Sequence, residues 1–93
     1  GNEREVDRMY CVALLDSGNY VISLCKALER KGYVFEVTST PCQIAKGGCG
    51  YCLKFPMEYK DVVINEGFAN LTPVREIYKV VNAVTKNKYE RIY

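Results

Sequence analysis

From Met9 to Asp16 the chain reads MYCVALLD, a continuous apolar run too short for a typical helix. A run of this kind predicts a central strand covered on both faces, with Cys11 as a small core residue. Asp16 and Ser17 are helix-capping side chains, and NYVISLCKALERKG then sets Val21, Leu24, Cys25 and Leu28 at i, i+3, i+4, i+7. Lys26, Glu29 and Arg30 fall on the other side, which predicts an amphipathic helix ending at Gly32 with Cys25 buried beneath it. YVFEVTST alternates: Tyr33, Phe35 and Val37 share one face and Glu36, Thr38 and Thr40 the other, until Pro41 closes the strand. GYCLKF alternates again, with Tyr51, Leu53 and Phe55 opposed to Cys52 and Lys54. The glycine-rich interval between these two strands predicts a wide hairpin loop.

Pro56 can open a helix, and MEYKDVVINEGFAN carries Tyr59, Val62 and Val63 at helical spacing, although Gly67 weakens it. VREIYKVV, after Pro73, is rich in β-formers. The predicted order is strand, helix, strand, strand, helix, strand. That is the α+β ferredoxin-like plan, βαββαβ, an antiparallel four-stranded sheet with two helices on one face. The closing KYERIY can add a short edge strand. A competing parse makes TPVREIYKVVNAVTKN the second helix, with Thr72 and Pro73 as N-cap and first residue.

Length and charge narrow the function classes. The chain has 93 residues, enough for one core but too few for a large cleft beside it. Residues 9–93 are expected to form a single domain. The charged stretch 1–8, GNEREVDR, is set aside as a flexible lead-in whose Gly1 stands where an initiator methionine would be. A net charge of +2 with both signs scattered offers no basic stripe, so nucleic acid is not an expected partner. The apolar runs fall short of a membrane span and no signal-peptide pattern precedes them, so a cytoplasmic protein without membrane attachment is expected.

Chemistry concentrates in TPCQIAKGGCGYCLKF, residues 40–55. It holds three of the five cysteines, and the chain has no histidine. Cysteine–histidine dyads and imidazole zinc sites are thereby excluded. An odd cysteine count with two members inside apolar patterns favours reduced thiols over a disulfide framework. Cys49 and Cys52 form a CxxC, but it runs into a strand instead of opening a helix, so the pair lacks the helix N-terminus that redox versions use. Cys42, Cys49 and Cys52 could supply three thiolates to a metal, yet a closed tetrahedral site needs a fourth ligand. A single working thiol suits the stretch better. Gly47, Gly48 and Gly50 allow backbone N–H groups to turn towards Cys49, while Lys46 and Lys54 add positive charge, and both effects favour thiolate. The plainer reading, glycines shaping a tight loop around an ordinary small residue, stands beside it.

Together with the strand, helix and strand before it, this stretch resembles the selenium/sulfur carrier protein-like family of small domains. The likeness runs from about Met9 to Val81. It is most specific at Thr40-Pro41, at the Ile44–Gly50 turn and at Leu53-Lys54-Phe55. The family's shared cysteine-glycine pair falls on Cys49 and Gly50, so the resemblance implies that Cys49 bears the sulfur or selenium. The resemblance gives Cys42 and Cys52 no such role; in the carrier hypothesis built on it, Cys52 or Cys42 would resolve the persulfide or protect the thiol. A carrier of this kind is not an autonomous enzyme and holds no cofactor of its own, because cleavage of the donor's C–S or C–Se bond belongs to a partner. The implied partners are sulfur or selenium donor and acceptor proteins, a cysteine desulfurase among the candidate donors. The alternative from another class is a non-catalytic interaction or regulatory module with structural cysteines. Cys52 and Lys54 lie on the predicted sheet face away from the helices, beside apolar residues of the central strand, and a homodimer covering that face is expected.

Overall fold

The computed structural model describes residues 9–45, 50–82 and 86–93. Strand β1 spans Tyr10–Leu14, helix α1 Gly18–Arg30, β2 Glu36–Ser39, β3 Tyr51–Pro56, helix α2 Lys60–Ala69, β4 Glu76–Val81 and β5 Lys88–Arg91. The competing parse fails, because Glu76–Val81 is a strand. Its neighbours on the sheet explain why: β4 pairs with β1 from Tyr10↔Val80 to Leu14↔Glu76, burying Ile77 and Tyr78 on opposite faces.

The sheet order is β2-β3-β1-β4-β5, with every neighbouring pair antiparallel. The fold is therefore α+β with two helices against an antiparallel sheet of five strands. This corrects the four-stranded expectation: the closing segment is a full partner of β4, from Tyr78↔Arg91 to Val81↔Lys88. Both helices lie on one face. Val21, Leu24 and Leu28 of α1 and Val63 of α2 share a core with Cys11, Ala13, Leu53, Phe55 and Ile77. Val12, Leu14, Cys52 and Tyr78 point the other way and form a second cluster with Ile44.

Helix α1 begins as its sequence predicts. Ser17 is the N-cap, in an extended conformation, and its Oγ accepts the Tyr20 amide N–H at 3.2 Å. At the other end Gly32, at φ +93°, takes the left-handed position. The Gly32 N–H bonds to the Glu29 carbonyl and the Tyr33 N–H to the Leu28 carbonyl, the paired bonds of a Schellman ending. Pro56, in contrast, is the last residue of β3. A 3-10 turn over Met57–Tyr59 separates it from α2.

Gly67, which weakens the helix in propensity terms, has a packing reason. A Cβ there would lie 2.9 Å from the Thr72 carbonyl oxygen, where the chain doubles back towards β4. Helix α2 ends in the same bonding pattern as α1, with Leu71 N–H to Phe68 O and Thr72 N–H to Gly67 O. Here the left-handed residue is Leu71, at φ 60° and almost wholly exposed. A leucine in that region costs about 1 kcal/mol that glycine avoids. Leu71→Gly is expected to raise stability by roughly 0.5–1 kcal/mol, read as a higher melting temperature, since the leucine side chain contributes little packing. An unchanged or lower melting point would contradict this account of the helix end.

One ion pair ties the helices together. Lys31 Nζ lies 2.9 Å from Glu66 Oε1, and Asn70 Nδ2 donates to Glu66 Oε2 at 2.7 Å. The Lys31 contact first, and the Asn70 hydrogen bond second, hold the Glu66 carboxyl below its ordinary value. A depressed carboxylate stabilises the fold fully above its unfolded pKa, about 4.3, and loses that contribution as pH falls through the folded value. Melting temperature is accordingly expected to drop between pH 5 and strongly acidic conditions, with a shallower slope in Glu66→Gln. Equal slopes in the two proteins would remove Glu66 from the cause.

Candidate functional site

The loop between β2 and β3 is built from both ends inward. Beyond the last ladder pair, Ser39↔Tyr51, the Thr40 N–H bonds to the Gly50 carbonyl at 3.1 Å and closes the loop's base. Pro41 then starts a turn in which its carbonyl accepts N–H groups from Ile44 (3.1 Å) and Ala45 (3.0 Å). That turn drives Ile44 into the sheet's second face, where it is only 4% exposed against Val12, Leu14, Cys52 and Tyr78. Pattern reading missed Ile44, a lone apolar residue in a loop, because nothing local shows what it covers. Val12, Leu14, Cys52 and Tyr78 on this face are thereby buried within the chain, while Val80 and Tyr89 beside them stay partly exposed.

The cysteines separate by environment. Cys42 sits on the turn, exposed and outside any disulfide. Cys52 is 0% exposed, beneath Ile44, with its Sγ 3.8 Å from the Ser39 carbonyl oxygen. Cys11 is fully buried, and desolvation raises its thiol pKa against the opposing pull of Lys60 and Lys79. Cys25 is half-buried, not fully buried as its helical spacing predicts. Its Sγ contacts the Phe35 carbonyl at 3.5 Å, and desolvation first, then Glu29, pushes its pKa up. Cys11 and Cys25 are thus protonated at neutral pH and poor nucleophiles. Lys46, Gly47, Gly48 and Cys49, four of the predicted site residues, lie outside the described residues.

Two sequence arguments need revision. Lys54 points away from the loop: its Nζ lies 5.0 Å from the centroid of the Tyr10 ring, at the far end of β3. Gly50, for its part, has no backbone requirement for glycine. Its φ lies outside the left-handed region, and a Cβ would meet nothing within 4 Å. What lies beside the loop is the start of α1. A Cβ on Gly18, the first residue of that helix, would come 3.0 Å from Cδ2 of Tyr51. The exposed Tyr51 ring therefore rests on the helix N-terminus, one residue from Gly50. The signal for this contact was a glycine at a helical first position, legible only once Tyr51 was known to face α1. Arg75 braces the same end with two hydrogen bonds to Asp16, at 2.9 and 2.8 Å, and these hold the Asp16 carboxyl below its usual range.

Residues 10–79 match the family model described as Putative Se/S carrier protein-like. The chain belongs to this family. The match takes in β1, both helices, β2, β3, the cysteine loop and part of β4, so the loop lies within what the family shares. Searches of curated proteins and of solved structures found no match. Among the described residues no group of three or more histidine, cysteine or acidic side chains could hold a metal ion, and no helix is long and apolar enough to cross a membrane.

The burial pattern predicts an order of thiol reactivity. Of the described cysteines, Cys42 should be alkylated fastest in the native protein and Cys11 and Cys52 slowest, as read by mass spectrometry of time-resolved labelling. Ile44→Ala should cost about 2–4 kcal/mol and bring Cys52 labelling towards the rate of Cys42. Slow labelling of Cys52 in that variant would show that Ile44 is not what shields it.

Proposed function

We propose that the protein is a sulfur or selenium carrier whose working thiol is Cys49, on a ferredoxin-like domain with an added edge strand. The observation that carries this reading is the family match across the loop. Three features of the fold support it. The loop's base is closed by the hydrogen bond from the Thr40 N–H to the Gly50 carbonyl. The N-terminus of α1, with its partial positive charge, adjoins Tyr51, and such a terminus favours a nearby thiolate. A Cβ on Gly50 would meet nothing within 4 Å, so a glycine at this position serves to keep side-chain bulk away from a docking partner rather than to relieve a clash.

The transfer needs no cofactor in this chain. The Cys49 thiolate attacks the outer sulfur of a partner's cysteine persulfide. A new S–S bond forms at Cys49, the partner's S–S bond breaks, and the electron pair leaves on the partner's thiolate. The outer sulfur then passes to an acceptor nucleophile in the same way, restoring Cys49. A selenopersulfide follows the same displacement. Exposed Cys42 can reach solvent-borne partners, whereas Cys52 is shielded and suits a packing role.

The test is to incubate the protein with a cysteine desulfurase and cysteine, then locate added sulfur by mass spectrometry. Loading is expected on Cys49, abolished in Cys49→Ser and retained in Cys42→Ser and Cys52→Ser. Gly50→Val should leave the melting temperature close to that of the parent and slow loading several-fold. Native loading of Cys49→Ser would refute the proposal, and unslowed loading of Gly50→Val would refute the role given to the bare approach.

A further inference from the structure

Strand β5 is one edge of the sheet, and the bonds at its end fix which of its backbone groups β4 uses. Ile92 and Tyr93 form a bulge opposite Ile77. The Ile92 N–H (2.8 Å) and the Tyr93 N–H (3.3 Å) both donate to the Ile77 carbonyl, and the Ile77 N–H donates to the Tyr93 carbonyl at 3.2 Å. Bonded and non-bonded pairs alternate along an antiparallel ladder, so from the bulge backward Glu90 and Lys88 are the residues bonded to β4, at Lys79 and Val81. The N–H and C=O groups of Tyr89 and Arg91 therefore turn outward from the sheet's edge.

The side chains decide what fits against that edge. Edge strands are commonly protected by charge, and a run of one sign repels its own copy. Here the signs alternate instead, in the order Lys88, Tyr89, Glu90, Arg91. A second β5, antiparallel about a twofold axis at Tyr89, sets the two Tyr89 residues opposite each other with both N–H···O bonds made. Lys88 then faces Glu90 of the second copy, Glu90 faces its Lys88, and Arg91 faces its Asn87, which brings no like charge. Glu90 lies 3.4 Å from Lys79 Nζ on β4 with its side chain still 63% exposed, so the incoming lysine extends a row of alternating charge. On the other face Tyr89 ends the row Pro56, Tyr10, Val80, and the second copy continues it. The opposite edge, β2, carries one charge, Glu36, and offers its own copy no opposite partner.

We propose that β5 pairs with β5 of a second copy of this chain, a twofold dimer joined as one continuous antiparallel sheet. The seam is the strand edge, not the sheet face on which the sequence leads one to expect a homodimer. Strands β1 and β4 lie between it and the β2–β3 loop, and the twofold axis sends the two loops to opposite ends. Both loops thus stay open to other proteins.

The test is sedimentation of the full chain over a concentration series. The parent is expected to show a monomer–dimer equilibrium. Lys88→Glu and Glu90→Lys each set like charges opposite one another, and each should weaken self-association about tenfold or more. Mixing the two variants makes both cross-seam pairs opposite in sign again, so a one-to-one mixture should associate as the parent does. Amide exchange of the parent gives a reading that needs no variant: the Tyr89 and Arg91 N–H groups should gain protection as concentration rises, while the Glu90 N–H, bonded to β4, is protected at every concentration. Cys49→Ser should dimerise like the parent, so the seam and the carrier reading stand or fall separately. A monomer up to about 1 mM, single variants that associate like the parent, no restoration in the mixture, or concentration-dependent protection away from Tyr89 and Arg91 would overturn the proposal.

Discussion

Burial of β1 on both of its faces is the constraint from which the rest of the architecture follows. Cys11 and Ala13 meet the helices, while Val12 and Leu14 meet the second cluster. Fully burying an aliphatic side chain of this size is worth about 1.5–3 kcal/mol, so neither face can be left wet without cost. The helices meet that need on one side only. On the other, where no described helix lies, cover comes from Ile44 out of the loop and from the tyrosines of β4 and β5. The fifth strand and the inward-turned loop are two answers to one problem.

Because Ile44 serves the core, the loop is held twice: by the Thr40–Gly50 bond at its base and by a buried side chain within it. The turn between those anchors is fixed by its own backbone bonds to Pro41. The same burial of Ile44 withdraws Cys52 from solvent while leaving Cys42 outside. Neighbours in sequence thus acquire different chemistry through the sheet's alternation, since Cys52 faces Ile44 while its neighbours Tyr51 and Leu53 face α1.

What was legible in the sequence was what depends on local period. The two-sided run of β1, the α1 stripe through Val21, Leu24 and Leu28, and the opposite facing of Cys52 and Leu53 all follow from residues near one another. What was not legible depends on register between distant segments. KYERIY shows only that a strand could form, and its pairing with β4 decides that a fifth one does. Gly67 reads as a weak helix position until Thr72 is seen to pass 2.9 Å from where its Cβ would be. Cys25 obeys the helical spacing yet sits at the margin of the core, because the stripe predicts a face and not how far its neighbours extend. Lys54 lies near Cys49 in the chain, but along the sheet four residues of about 3.3 Å each separate it from Gly50 at the loop's base.

That last difference decides how the loop can be tuned. Four residues of strand put Lys54 about 13 Å from Gly50 by backbone rise, and its ammonium leans further away, over Tyr10. Exposed charges separated by more than about 8 Å are largely screened at physiological ionic strength. Lys54 therefore cannot hold a thiolate in the loop. Any bias towards thiolate at Cys49 must arise within a few residues of it, from the loop's own amides and lysine or from the adjoining start of α1. Dipole effects at a helix terminus act over the first turn, which is where Gly18 meets Tyr51. The two ends of the sheet are thus too far apart for their exposed charges to couple, with the base of the cysteine loop beside the start of α1 and the opposed charges of Glu36 and Lys54 at the end where that helix has already finished.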